Sequence, residues 1–317
     1  MRRLNVVNVS GGKDSTATLL VAIEREVKSI VPVFADTGNE HEQTYQYLDY
    51  LEKRLGLKIE RVKADFSKQI VRKRTLTMDK WRQEGVEERV IERAISVLEP
   101  TGNPFLDLCL WKGRFPSMKA RFCTEELKIF PINQFIEPML GAYESIYSWQ
   151  GVRAEESPSR AKMPEIEVEF GDMETGKGIF NYRPILRWTA DQVFEFHRKH
   201  GVDWNPLYEQ GMGRVGCMPC VNCNKTELRK IAEQFPEVVE RLREWEELVS
   251  VASKRQSATF FPAVTDPMVD GGENIMFSTH GIDRIVDWSK TARGGRQFDL
   301  LGSGGGSVCH SVYGLCE

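Results

Sequence analysis

Short apolar runs alternate with amphipathic segments in the first part of the chain. The apolar runs at residues 4–9, 29–35 and 57–62 predict three strands. Between them, apolar residues recur with the helical period over about 15–26 and 41–55, which predicts two helices. Strand, helix, strand, helix and strand in this order is typical of an α/β fold with a doubly wound, mostly parallel sheet.

The character of the chain changes towards its C-terminal end. Residues 67–100 and 189–200 read as helical, but a Gly- and Cys-rich cluster then precedes another helical stretch at 226–253 and a Gly-rich end. We therefore predict two parts. Residues 1–210 form the α/β domain, and residues 211–317 form a smaller, cysteine-rich, mainly helical region with a flexible tail.

The charge and apolar content of the chain exclude some classes of protein. The net charge of -3 over 317 residues excludes a globally basic protein that coats nucleic acid, but leaves open a local basic face over residues 112–128. No apolar run is long enough for a membrane span, and the N-terminus does not read as a signal peptide, so we expect a cytoplasmic protein and no membrane partner. In that reducing compartment, seven clustered cysteines indicate metal ligation or reactive thiols and not disulfides.

A polar turn joins the first predicted strand to the first predicted helix. Its residues are Ser10, Gly11, Gly12, Lys13, Asp14 and Ser15. The two glycines allow bare N–H groups to approach phosphate oxygens, and the helix N-terminus adds its positive dipole. Lys13 supplies a point charge, and Asp14 either helps to hold a divalent cation or caps the helix. An ordinary glycine turn is the alternative, since the spacing differs from that of the common P-loop.

Three cysteines are spaced at intervals of two residues, namely Cys217, Cys220 and Cys223. Three thiols on one loop, completed by a distant fourth cysteine, suit a [4Fe–4S] cluster. Zinc is the less favoured metal, because structural zinc more often uses two separated Cys-x2-Cys pairs.

Several segments together carry a family resemblance. The turn at residues 10–15 resembles the PP-loop of the ATP pyrophosphatase superfamily. Residues 34–38, 151–157 and 205–217 resemble segments of its phosphoadenosine phosphosulfate (PAPS) reductase-like branch, and the tail resembles a phage and bacterial iron–sulfur subgroup. The resemblance covers residues 5 to about 225 and implies an adenine nucleotide alpha hydrolase-like fold.

The resemblance also implies roles for single residues. The turn would hold the phosphates, the loop of Asp36, Thr37 and Gly38 would lie beside the adenosine, and Arg153 would stabilise phosphate charge. The alternative for Arg153 is a surface ion pair with Glu155 or Glu156.

For the metal, the resemblance implies Cys123 as the fourth ligand, with Cys109 as the rival. The family's reductases carry a Cys-Cys pair at this point, whereas residue 122 is Phe here. The tail residue Cys316 resembles their catalytic cysteine only loosely, and an inert thiol is the alternative for both Cys316 and Cys309.

Three functions follow from these residues. The first is a PP-loop enzyme that cleaves ATP with Mg²⁺ to AMP and pyrophosphate and transfers sulfur, through Lys13, Asp14, Arg153 and Cys316. This resembles tRNA thiolation and DNA phosphorothioation enzymes, and it implies a tRNA or DNA acceptor, a sulfur or electron donor protein, and a homo-oligomer. The second is a PAPS or adenosine phosphosulfate reductase that releases sulfite. The third is a non-catalytic nucleotide-binding module with a metal site.

Overall fold

A six-stranded sheet forms the centre of the computed structural model, which describes residues 2–264 and 275–292. Its strands are β1 (Arg3–Asn8), β2 (Ile30–Asp36), β3 (Glu60–Lys63), β4 (Ser145–Trp149), β5 (Ile166–Asp172) and β6 (Lys177–Tyr182). Across the sheet their order is β3-β2-β1-β4-β6-β5. All neighbouring strands pair in parallel except β5, which runs antiparallel to β6. The predicted α/β class with a mostly parallel sheet is confirmed.

Helices connect and cover the strands. They are α1 (Lys13–Glu24), α2 (Glu42–Leu55), α3 (Ser67–Leu76), α4 (Glu88–Val97), α5 (Pro104–Lys112), α6 (Phe122–Thr124), α7 (Phe130–Ile136), α8 (Pro158–Ala161), α9 (Ala190–His200), α10 (Lys225–Gln234), α11 (Pro236–Val251), α12 (Phe277–His280) and α13 (Ile282–Lys290). A π-helical segment, Glu125–Ile129, joins α6 to α7 in one helical run, and another, Thr77–Trp81, follows α3. No helix within the described ranges is both long and apolar enough to cross a membrane.

Alternate residues of β1 face two different apolar layers, as the side-chain period of a strand requires. Val7 packs with α1, α2 and α9 on one face of the sheet, whereas Leu4 and Val6 pack with α7 on the other face. Both faces of the central strand are therefore covered, which makes the sheet doubly wound.

The largest apolar cluster lies beside the sheet and is built by helices from two parts of the chain. It joins α3, α4 and α5 to α11 and α13, with Phe105 stacked on Trp245 at 5.5 Å between ring centroids. The C-terminal helices therefore pack on the middle of the chain. The domain boundary at residue 210 stays a prediction.

A buried carboxyl group holds this helical cluster together. Glu246 of α11 is 1% exposed and accepts hydrogen bonds from the backbone N–H groups of Phe260 and Ile282, each at 2.7 Å. Burial raises the pKa of Glu246 to about 7, against the opposing effect of those two donors.

Two features differ from the sequence expectation. The single helical stretch predicted at 226–253 is two helices, because Pro236 interrupts it and starts α11. The hairpin of β5 and β6 was not predicted, although Ile166, Val168 and Phe170 alternate with glutamates as a strand would. These three side chains are exposed, so β5 lacks the buried side chains that mark β1, β2 and β4.

Candidate functional site

The strand order creates a crevice at one edge of the sheet. From β1 the chain passes to β2 on one side, while β4 pairs with β1 on the other side. The loops that follow β1 and β4 therefore leave in different directions from the carboxyl ends of adjacent strands. Ligands of open α/β sheets bind at this kind of switch point.

The loop after β1 is the polar turn predicted to hold phosphate. Gly11 has φ +81°, and a Cβ there would lie 2.6 Å from Cγ2 of Thr44, so only glycine fits this turn. Ser15 closes the loop, since its Oγ accepts from the N–H of Ser10 at 3.1 Å and donates to the carbonyl of Gly12 at 3.0 Å. Helix α1 begins at Lys13 within this turn, so the N–H groups of its first turn lie at this loop.

A buried carboxylate joins two cations at this turn. One oxygen of Asp14 lies 2.6 Å from Nζ of Lys13, and the other lies 2.6 Å from Nε of Arg153. Asp14 is fully buried, and Arg153 is 5% exposed. Burial lowers the pKa of Arg153, but the carboxylates of Asp14 and Glu156 outweigh that effect and raise it overall. The trio carries a net positive charge beside the loop.

The loop after β4 touches the phosphate loop directly. A Cβ on Gly151 would lie 2.7 Å from the backbone nitrogen of Ser15, so the two backbones meet where a side chain has no room. Arg153 follows two residues later and also pairs with Glu155. The predicted alternative, a surface ion pair, is only partly right, because Arg153 pairs with Glu155 but is itself buried.

The loop after β2 lies next to this site and is internally hydrogen-bonded. Thr37 donates its hydroxyl to Glu40 at 2.7 Å, and Asp36 accepts from the N–H of Gly38 at 3.0 Å and from the hydroxyl of Tyr45 at 2.8 Å. Burial raises the pKa of Glu40. A role beside adenosine for Asp36, Thr37 and Gly38 stays a prediction.

A pocket with about 440 Å³ of empty space, part of it open to solvent, links the loops. Ser10 and Ser15 of the phosphate loop and Phe34 of β2 line it, together with Glu40. Lys128, from the π-helical segment between α6 and α7, adds a cation to the wall. The pocket therefore combines an apolar wall with cationic and hydroxyl groups.

Three residues of the site were given no role in it by the sequence analysis. Tyr208 accepts from the N–H of Lys13 at 3.1 Å, and its ring centroid lies 5.3 Å from the Lys13 Nζ. Asn205 donates to the carbonyl of Gly11 at 3.2 Å, and His197 donates to the carbonyl of Lys13 at 2.8 Å. Their only sequence signal was the segment 205–217, which contains the first two.

The predicted metal ligands lie in two surroundings. Cys217 belongs to the pocket side, with Sγ 3.4 Å from Oγ1 of Thr37. The other three, Cys123, Cys220 and Cys223, pack against the large helical cluster. In that cluster Cys109 is fully buried, and burial, with the neighbouring Cys123 thiol, raises its pKa.

This arrangement does not fit a four-thiolate cluster as it stands. Across the described residues, no group of three or more His, Cys, Asp or Glu side chains is placed to hold a metal ion. Cys217 is instead turned towards Glu40, at 3.8 Å. The ligand set of Cys123, Cys217, Cys220 and Cys223 stays a prediction, and Cys316 and Cys309 lie outside the described residues.

The comparison with family models identifies one family for this chain. The model of the phosphoadenosine phosphosulfate reductase domain matches residues 4–223. The chain is 48% identical to an uncharacterized 37.8 kDa protein of Escherichia phage 186, over 99% of this chain and 97% of that protein. It is 26% identical to the phosphoadenosine 5'-phosphosulfate reductase of Erwinia tasmaniensis, over 63% of this chain and 64% of the reductase. Among solved structures, the PAPS reductase of Candida auris in a phosphate complex aligns with a TM-score of 0.43 and 17% identity, over 68% of this chain and 82% of that one.

Proposed function

Because the chain belongs to the phosphoadenosine phosphosulfate reductase domain family, we propose that it is an enzyme that holds the phosphates of an adenine nucleotide on the loop after β1. The buried trio of Lys13, Asp14 and Arg153 is the observation that carries this proposal. Two cations share this carboxylate at the start of a helix and beside a glycine turn, and Arg153 also pairs with Glu155, so the site offers cationic side chains and helix N–H groups to an anion.

Each group of the trio has a distinct task. Lys13 and Arg153 neutralise charge that develops on the phosphates, and the N–H groups of the loop donate to phosphate oxygens. Asp14 is a positioning residue, because both of its oxygens already hold a cation. A divalent ion bound by Asp14 does not fit this arrangement, so Mg²⁺ enters as part of the nucleotide substrate.

The reaction that we propose first is the activation of an acceptor by ATP. An acceptor oxygen forms a bond to the α-phosphorus, the bond to the β-phosphate oxygen breaks, and pyrophosphate leaves. A sulfur nucleophile then replaces the adenylated oxygen and releases AMP. Lys128 in the pocket wall adds positive charge to a site that must stabilise both leaving groups. The acceptor in this proposal is a nucleic acid, and the sulfur comes from a donor protein in the cytoplasm.

The second proposal is a sulfonucleotide reductase. A thiolate attacks the sulfur of PAPS or adenosine phosphosulfate, an S–S bond forms, and the nucleotide leaves; a second thiol then releases sulfite. A specific observation supports it, because the thiol of Cys217 lies 3.4 Å from Thr37, directly after Gly216 of the pocket wall. Cys316 is the other candidate thiol.

One product assay separates these proposals. The full-length protein, purified without oxygen, is incubated with a dithiol reductant and with tRNA and DNA as acceptors, in parallel with Mg·ATP, with adenosine phosphosulfate and with PAPS. Pyrophosphate and AMP from ATP alone support the first proposal, whereas sulfite from a sulfonucleotide supports the second. Nucleotide binding with no turnover of any of the three would contradict both and leave a non-catalytic binding module.

An iron–sulfur centre is a separate proposal. Its support is the chemistry of the donor set, since three thiols share one short loop and Cys123 packs against the same helical cluster as Cys220 and Cys223. The thiols must move together to bind it, so no step above passes through it. Iron and sulfide analysis of the anaerobically purified protein tests it, and Cys123→Ser compared with Cys109→Ser identifies the fourth ligand.

A further inference from the structure

Two neighbouring segments outside the pocket are strongly basic, although the whole chain has a net charge of -3. Residues 66–78 contain no Asp or Glu, and their cations are Lys68, Arg72, Lys73 and Arg74. Residues 108–124 also contain no Asp or Glu, and their cations are Lys112, Arg114, Lys119 and Arg121. We call the two together the basic surface.

Direct contacts join these segments. The Nζ of Lys73 in α3 donates to the carbonyl of Leu110 in α5 at 2.6 Å. The ring of Phe66, just before α3, stacks on that of Trp111 with centroids 5.7 Å apart. The two basic segments therefore lie next to each other in the fold.

Aromatic rings hold part of this charge in place. Nζ of Lys112 lies 3.7 Å from the ring centroid of Trp111, and the guanidinium of Arg114 lies 5.6 Å from that of Phe122. Carboxylates compensate part of this charge, since Lys112 pairs with Glu126 at 2.9 Å and Arg74 pairs with Glu99 at 3.0 Å. Within residues 2–264 and 275–292, the exposed cations Lys68, Arg72 and Lys119 have no ion pair.

Exposed apolar side chains lie among these cations. Val71, next to Arg72, is 59% exposed, and Met118, next to Lys119, is 56% exposed. A duplex presents mainly phosphates to such a face, whereas a single strand also presents unstacked bases, which gain from apolar and aromatic contacts. The mixture of free cations and exposed apolar groups therefore fits a single strand better than a duplex.

We propose that the basic surface binds single-stranded nucleic acid. A helical run begins with Phe122 at this surface. Lys128 lies six residues further along the same run and lines the wall of the nucleotide pocket. A bound strand would therefore lie on the element that also lines the pocket. Strand binding itself follows from the surface alone, whereas the role of the strand as sulfur acceptor rests on the proposed function.

Fluorescence anisotropy of a labelled single strand of about 20 nucleotides tests this, because that length exceeds the ~4–16 nucleotides of common single-strand sites. The test variant is Arg72→Glu/Lys119→Glu, with one change in each segment. The control is Lys53→Glu/Lys162→Glu, which alters net charge equally at two exposed lysines outside the basic surface.

We expect the test variant to lose at least about tenfold in affinity and the control to change less than about twofold. The slope of log K against log salt should flatten by about 0.7 for each lost phosphate contact. Equal losses in both variants, or no binding at low salt, would overturn the proposal. Equally tight binding of poly-glutamate, or of phosphatidylglycerol vesicles, would also overturn it, because the surface would then bind any polyanion. The assay contains no ATP, so failure of nucleotide turnover leaves its result unaffected.

Discussion

Replacing Asp14 by Asn removes the charge that holds Lys13 and Arg153 together. The carboxylate is fully buried and pairs with each cation at 2.6 Å, so the variant removes this counter-ion from Lys13 and leaves Arg153 paired with Glu155. Removing one partner of a buried ion pair costs about 3–5 kcal/mol. The new amide keeps one acceptor oxygen, so we expect the lower end, about 3 kcal/mol. At about 2–4 °C per kcal/mol in a protein of this size class, the melting temperature should fall by about 6–12 °C.

Nucleotide binding should change in the opposite direction. In the wild type, Asp14 repels phosphate, and in the variant Lys13 loses its carboxylate while Arg153 keeps only Glu155, so both cations gain more from the phosphates. We therefore expect a non-hydrolysable ATP analogue to bind several-fold more tightly to Asp14→Asn and to restore much of the lost melting temperature. Turnover should fall, because the cations are no longer held in a fixed position.

Calorimetric titration with and without Mg²⁺, together with thermal unfolding, measures both effects. Asp79→Asn, an exposed residue of the π-helical segment after α3, is the matched control and should change neither. A variant that binds Mg·ATP more weakly, but binds the free analogue normally, would show that Asp14 ligates the metal. A fall in stability of only about 1 kcal/mol would show that it merely caps the helix.

Three further predictions concern the loop contact, the buried carboxyl and the cysteines. Gly151→Ala should abolish turnover and lower the unfolding free energy by about 1–3 kcal/mol, because its Cβ would meet the backbone of Ser15. Gly213 has open space around it, so the control variant Gly213→Ala should leave both turnover and stability nearly unchanged. For Glu246 the folded pKa of about 7 exceeds the ordinary value of 4.5 for a glutamate, so the folded state binds the extra proton and stability should fall as pH rises from about 4.5 to 7. The loss should reach about 3 kcal/mol by urea unfolding, and a Glu246→Gln variant with the same pH slope would refute this. Cys220→Ser should lower bound iron and visible absorbance of the anaerobic protein, and an unchanged spectrum would contradict the iron–sulfur proposal.

Local patterns were enough to predict the phosphate loop and its strand and helix. Two glycines and a helix start lie next to each other in sequence, and β1 and α1 begin and end within three residues of the predicted bounds. A place for Arg153 beside this turn and its pairing with Glu155 were both among the expectations, but its pairing with Asp14 was not. Asp14 is 139 residues away in the chain, and only the pairing of β4 with β1 brings the two together.

Contacts that form only when distant segments pack together could not be predicted from the sequence. Glu40 has no local signal, and the segment that contains Tyr208 does not indicate its contact with Lys13, because these roles arise from loops that meet only after the sheet has formed. The direction of the cysteine side chains was also not predictable from the sequence. Their spacing fixes which thiols share a loop, but the direction of each thiol depends on neighbours such as Glu40, which attracts Cys217 away from the helical cluster.

The cysteine loop and the nucleotide pocket form one structural unit. An isolated antiparallel bridge pairs Glu40 with Cys217, and Met218 donates its N–H to the carbonyl of Asn39 at 2.7 Å. Arg241 of α11 donates to the side-chain oxygen of Asn39 at 3.1 Å and to the carbonyl of Met218 at 2.6 Å. A movement that gathers the thiols on one metal must therefore break contacts with the loop after β2, which lines the pocket. Because such coupling is reciprocal, a bound nucleotide that fixes this loop also sets the cost of gathering the thiols.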